Sequence, residues 1–110
     1  EMLLCGLSVG ADGGIGTTYN IVPKLPVKIY ESFKKGDMKT ALVYQNKLNS
    51  FVQVMLNFVR GRGMGYWKAA LTLLGYDMGY TVFPSTPVTD ADLQELKEKL
   101  AGIDFFTEMI

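Results

Sequence analysis

A chain of 110 residues and 12.2 kDa has room for one modest domain and not for two. Because 48% of it is hydrophobic, it must bury a core. Eleven Lys plus Arg balance eleven Asp plus Glu, with a pI near 6.5, which removes the electrostatic pull toward a nucleic-acid backbone or an acidic membrane surface, so neither is expected as a partner.

The chain opens on Glu1 and enters an apolar stretch at once, as expected of a segment cut from something larger. Gly6 and Gly10 break this stretch far short of the roughly 20 apolar residues of a bilayer span, and no basic leader marks a secretory signal. Residues 2–9 suit a short buried helix that ends at Gly10, where a missing Cβ permits a left-handed cap. Cys5 is expected inside as a small hydrophobe. A lone cysteine forms no internal disulfide, and without histidine the usual zinc-ligand sets cannot be assembled. A reduced, cytoplasmic setting and no metal are therefore expected.

Residues 13–18 follow, and β-branched Ile15, Thr17 and Thr18 give them strand character. Pro23 and Pro26 can open a helix whose apolar face is Val27, Ile29, Tyr30 and Phe33, until Gly36 interrupts it. Asp37 can cap the next helix. From Met38, Ala41, Leu42, Leu48, Phe51, Val52, Met55 and Val59 recur at three-and-four spacing, one stripe on a helix of about six turns.

"RGRGMG", residues 60–65, breaks that helix with three glycines, and residues 67–74 then predict a short apolar helix closed by Gly75. Residues 76–87, with Pro84 and Pro87, read as a loop. Thr89 with Asp92 ahead of Leu93, Leu96 and Leu100 predicts a capped, amphipathic last helix. The tally is about five helices and one strand. A single strand cannot satisfy its own backbone groups, so it either pairs with chain not present here or does not form.

"GADGGIGTTYN", residues 10–20, invites a test as a phosphate loop. A dinucleotide fingerprint requires Gly-x-Gly-x-x-Gly, but Gly14-Ile15-Gly16 leads to Tyr19 where the third glycine belongs. No Gly-Lys-Ser/Thr follows, so a Walker loop fails as well. A glycine-lined strand packed closely against its neighbours fits better.

The same stretch resembles the eighth barrel strand of the N-acetylneuraminate lyase branch of the dihydrodipicolinate synthase-like class I aldolases. Ile15-Gly16-Thr17-Thr18-Tyr19-Asn20 points to that branch, since dihydrodipicolinate synthases typically read Ile-Ser-Val-Thr-Ala-Asn there. Glu1-Met2-Leu3 is similar to the end of the branch's Gly-x-Asp-Glu-Met/Ile segment after strand seven. "ESFKKGDMKTALVYQNKLN", residues 31–49, is similar to a helix pair around a Gly-Asp turn followed by Ala-Leu-x-x-Gln. "KAALTLLG", residues 68–75, and "VTDADLQELKEKL" resemble the later helices. The likeness covers nearly all of this chain and about the last two-fifths of a family member, because such barrels run to about 250 residues or more.

What the resemblance implies is an α/β TIM (β/α)8 barrel of which this chain is the C-terminal part, mainly helical as it stands. Residues 1–35 would be the end of the barrel (helix seven, strand eight, helix eight) and residues 36–110 a helical extension, together a single structural unit. The implied activity is reversible Schiff-base cleavage of sialic acid to N-acetylmannosamine and pyruvate, without metal or dissociable cofactor, by a homotetramer. The Schiff-base lysine and proton-relaying tyrosine would lie upstream, leaving no catalytic residue here and an inactive fragment.

Three residues are implied to bind substrate. Glu1 matches the carboxylate that accepts hydrogen bonds from the sugar's glycerol tail, and Thr17 the hydroxyl at the end of strand eight. Gly16 would let backbone approach the pyruvyl end. Met64 lies near where the family places a bulky side chain over the sugar. Tyr19 and Asn20 are expected to fix the exit from the strand, and Phe51 and Trp67 to be core. Lys24, Lys28, Lys34, Lys35 and Lys39 fall at solvent-face spacing, where a lysine stays protonated and is a poor nucleophile. Two other readings stand beside this one: another pyruvate-dependent aldolase or hydro-lyase of the superfamily, and a non-catalytic helical module whose apolar faces bind a partner.

Overall fold

The structure, a computed structural model, describes residues 1–59 and 63–110. Six α-helices occur among them: α1 (Leu3–Ser8), α2 (Lys24–Lys34), α3 (Met38–Val59), α4 (Gly65–Leu73), α5 (Asp90–Ala101) and α6 (Phe106–Met109). A 3-10 helix spans Thr17–Asn20. The expected helix break at residues 60–65 lies partly outside the described residues. Its described end, Gly63 at φ +68 and Met64, leads into α4.

Helix boundaries follow local chemistry. Gly10 at φ +98 ends the first turn-bearing segment, and Gly75 at φ +92 follows α4. Between α2 and α3 the chain reverses over three residues. Gly36 takes φ +77 there, and the Asp37 carboxylate accepts from the Thr40 N–H at 3.0 Å, capping α3. At α5 the Thr89 hydroxyl accepts from the Asp92 N–H at 3.2 Å, and the Asp92 carboxylate accepts from the Thr89 N–H at 3.0 Å. That reciprocal pair is the capping box that the sequence predicts. α6 has no counterpart in the sequence reading; its single turn lies in "AGIDFFTEMI", which shows no long periodic pattern.

α2 packs along α3, and their facing side chains make the centre of the core. Leu25 and Ile29 on α2, with Ala41, Leu48, Phe51 and Met55 on α3, are fully removed from solvent. α1 adds Leu3, Leu4 and Leu7; α4 adds Tyr66 and Ala70; α5 adds Leu96 and Leu100. Phe106 of α6 stacks on Phe51 with ring centroids 6.0 Å apart, and Tyr66 tilts against Phe58 at 5.6 Å. Of the stripe read along α3, Ala41, Leu48, Phe51, Val52 and Met55 are buried, Leu42 is 52% exposed, and the Val59 side chain lies outside the described ones.

The strand expected at residues 13–18 is absent, and no strand forms among the described residues. Residues 13–16 run without helix or ladder, Gly16 being extended at φ −155 and ψ 145, and Thr17 and Thr18 turn into the 3-10 helix. The physical reason is the one given by hydrogen-bond accounting: extended backbone without a neighbour to pair with is a ribbon, not a sheet. Cys5 also departs from expectation, for it is exposed on the outer side of α1. No helix among the described residues is long and apolar enough to cross a membrane.

Candidate functional site

The ribbon at residues 13–16 owes its shape to a side chain that follows it. Tyr19, held in the 3-10 helix, turns its ring back under the two glycines. A Cβ built on Gly16 would lie 3.2 Å from Tyr19 Cε1, and one on Gly14 would lie 3.3 Å from the Tyr19 hydroxyl and 2.8 Å from Leu3 Cδ1. These glycines therefore permit close approach of the ribbon to an aromatic ring, although the stretch is not the glycine-lined strand expected. A Cβ on Gly13 would meet nothing within 4 Å.

A cleft of about 460 Å³ opens along one side of the ribbon. Glu1, Gly16 and Thr17 all line it, so the three residues singled out as substrate contacts share one cavity. Its opposite wall is apolar: Val52 and Leu56 of α3 and Trp67 of α4. The cleft thus combines a carboxylate-bearing and a hydroxyl-bearing residue with apolar and aromatic ones, and such groups can accept hydrogen bonds from hydroxyls, donate to them and cover apolar surface.

Glu1 also acts electrostatically within the site. The Tyr19 phenol is raised above its ordinary pKa of 10.0, first by partial burial and second by the nearby Glu1 carboxylate. Tyr19 therefore stays a neutral hydrogen-bonding group at physiological pH. Glu1 is in turn held from behind. The Gln45 amide of α3 donates to the Glu1 carbonyl at 3.0 Å and accepts from the Leu4 N–H at 2.9 Å.

Other expectations sort clearly. Met64 is exposed at the start of α4 and is not among the cleft's lining residues. Lys24, Lys34, Lys35 and Lys39 are exposed, and Lys28 is half-buried with its Nζ 5.1 Å from the Tyr44 ring centroid, a packing position rather than a catalytic one. Trp67 packs against the core as expected but also lines the cleft, a role that its place in an apolar helix did not signal. Leu56 was passed over likewise, and Gln45 was a polar interruption in an apolar stripe. No group of three or more His, Cys, Asp or Glu that could hold a metal occurs among the described residues.

Two further cavities differ in character. One of about 570 Å³ lies on the other side of the ribbon, between it and α2, lined by Leu3, Gly13, Gly14, Pro26, Val27 and Tyr30 among others. Gly13, Gly14 and Tyr19 line both this cavity and the first cleft. The other, about 220 Å³ between α4, the loop after it and the start of α5, contains none of the three expected contacts.

Comparison with known proteins accords with this geometry. The model of the dihydrodipicolinate synthetase family matches residues 1–103. The chain is 32% identical over 108 residues to N-acetylneuraminate lyase of Mus musculus, covering 97% of this chain and 33% of that protein. It is 34% identical over 103 residues to N-acetylneuraminate lyase of Rhizobium meliloti (strain 1021), covering 94% and 33%. Among solved structures it resembles the Proteus mirabilis N-acetylneuraminate lyase with a TM-score of 0.77 at 27% identity, over 91% of this chain and 33% of that one. The chain spans about a third of the length of these relatives, somewhat less than the two-fifths that the motifs implied.

Proposed function

The chain belongs to the dihydrodipicolinate synthetase family and has the helical, C-terminal part of that family's α/β-barrel fold; on that premise we propose that it is the last third of an N-acetylneuraminate lyase. In complete form the enzyme cleaves sialic acid reversibly to N-acetylmannosamine and pyruvate. Residues 1–35 close the barrel and residues 36–110 form the helical extension, part of which packs subunits into a homotetramer. The setting is cytoplasmic, and the reaction needs neither metal nor dissociable cofactor.

The supporting observation is the shared cleft of Glu1, Gly16 and Thr17. A carboxylate at this point accepts charge-assisted hydrogen bonds from vicinal hydroxyls, and the Thr17 hydroxyl both donates and accepts. Gly16 brings its backbone to the same cleft, with the Tyr19 ring packed on the side where a Cβ would stand. Among the described residues the cleft is lined by binding groups and by no lysine. The chemistry belongs to the upstream chain, where a lysine forms a protonated imine with pyruvate that accepts the electrons of the breaking carbon–carbon bond.

Borohydride trapping tests the reading on the full-length protein. Incubation with pyruvate and borohydride should add the mass of one reduced pyruvyl group per subunit, and N-acetylneuraminate should be cleaved. Trapping without that cleavage would favour a related aldolase with another acceptor aldehyde. Absence of trapping, together with a cooperative melt of this chain as an isolated monomer, would favour the helical binding module.

A further inference from the structure

Gln45 is the buried side-chain amide among the described residues, 4% exposed on the core face of α3. An amide at such a place destabilises a core unless it is hydrogen-bonded. Here both ends are used, and both reach the first four residues of the chain. Oε1 accepts from the Leu4 N–H at 2.9 Å. That N–H is one of the groups left without an intrahelical partner at the start of α1, where Met2 supplies no side-chain cap. Nε2 donates to the Glu1 carbonyl at 3.0 Å.

Asn49, one turn further along α3, closes the cluster. In one orientation of its amide it accepts from Gln45 Nε2 at 2.8 Å, and in the other its nitrogen donates to the Glu1 carbonyl at 3.1 Å. α3 thus grips the peptide that bears Glu1, and Glu1 lines the cleft together with Gly16 and Thr17.

We propose that Gln45 is a positioning residue for the Glu1 carboxylate, acting through the Glu1 carbonyl and the Leu4 N–H, so that the helical extension sets the enzyme's affinity for a polyhydroxylated acceptor. The inference rests on the lyase reading above. It assigns α3 a part in substrate recognition beyond packing. A fixed Glu1 backbone leaves less conformational freedom to be lost when the carboxylate engages hydroxyls, and binding weakens when that freedom is restored.

The test uses the full-length protein and two substitutions. Gln45→Met removes both hydrogen bonds at nearly constant volume, whereas Gln45→Glu keeps the acceptor for Leu4 and loses the donor to Glu1. Each should raise KM for N-acetylneuraminate about tenfold. Both kcat and the rate of borohydride trapping with pyruvate alone should stay within about twofold of wild type. In a Glu1→Gln background, Gln45→Met should raise KM by no more than about a further twofold, because the two residues act as one unit. Asn49→Ala, at an exposed position, reads the same coupling should the Met variant fail to accumulate.

Equal losses of trapping and cleavage, or fully additive effects with Glu1→Gln, would overturn the positioning role while leaving the lyase reading intact. A wild-type protein that traps no pyruvate would overturn that reading, and this inference with it.

Discussion

Along α2 and α3, Leu25, Ile29, Leu48, Phe51 and Met55 are wholly withdrawn from solvent, and each helix buries the other's apolar face. Along residues 13–16 the opposite holds: Ile15 is fully exposed, and clefts of about 460 and 570 Å³ lie on the two sides of the ribbon. The helix pair satisfies its backbone internally and needs only an apolar face to be stable. The ribbon cannot satisfy its own N–H and C=O groups, and it rests on the Tyr19 ring in place of sheet neighbours. One region finds its partner within the chain, while the other stays unpaired among the described residues.

The contrast can be broken most directly at Phe51. Phe51→Ala should lower unfolding free energy by about 3–5 kcal/mol, read by denaturant titration, because the ring is fully buried and stacked on Phe106. A loss below about 1 kcal/mol would mean that the helix pair is not the stable half. Gly14→Ala should cost about 1–2 kcal/mol, since its new methyl group meets Leu3 and Tyr19. Gly13→Ala, with open space around it, serves as the control and should leave stability within about 0.5 kcal/mol. Equal effects at the two glycines would remove the Tyr19 ring from the account.

Two smaller effects sharpen the comparison. Thr89→Ala should destabilise by about 1 kcal/mol through loss of the α5 capping box, a purely local device far from the ribbon. The last reading is a titration. Tyr19 has a raised pKa in the folded chain, so the neutral phenol is the form that folding favours. Its contribution is fully present below the ordinary value of 10.0 and is lost as pH rises through the raised one. Ring signals of Tyr19 followed by NMR against pH should therefore titrate late. Glu1→Gln should bring that titration only part of the way back, because burial is the larger cause.

Much of the helical half was legible in the residues. Gly10, Gly36 and Gly75 stand where left-handed turns are needed, and the stripe from Ala41 to Met55 identifies α3. Leu42 was misplaced because three-and-four spacing admits neighbours at the edge of a stripe, and only packing against α2 decides which edge is covered. Cys5 was misplaced for a related reason, since a short apolar helix does not reveal which side faces the core. The strand at residues 13–18 failed differently. β-branched residues favour extended backbone, but a strand is a property of at least two segments, and no second one pairs with it among the described residues.

In the site, Glu1, Gly16 and Thr17 came from motif resemblance, while their meeting in one cleft came from the fold. Trp67 and Leu56 carried no signal, because an apolar residue on a helix looks the same whether it faces core or cleft. Gln45 left a faint one, a polar residue interrupting an apolar stripe.

By itself, then, the order of residues determined the helices other than α6, the caps of α3 and α5 and most of the core face of α3, because these depend on propensities and spacings within a few turns of chain. Only the tertiary structure decided that Tyr19 packs against Gly14 and Gly16, that Trp67 and Glu1 line one cleft, and that Gln45 holds the Glu1 peptide. Those pairings depend on how whole helices pack, and local sequence does not encode the distance between two segments.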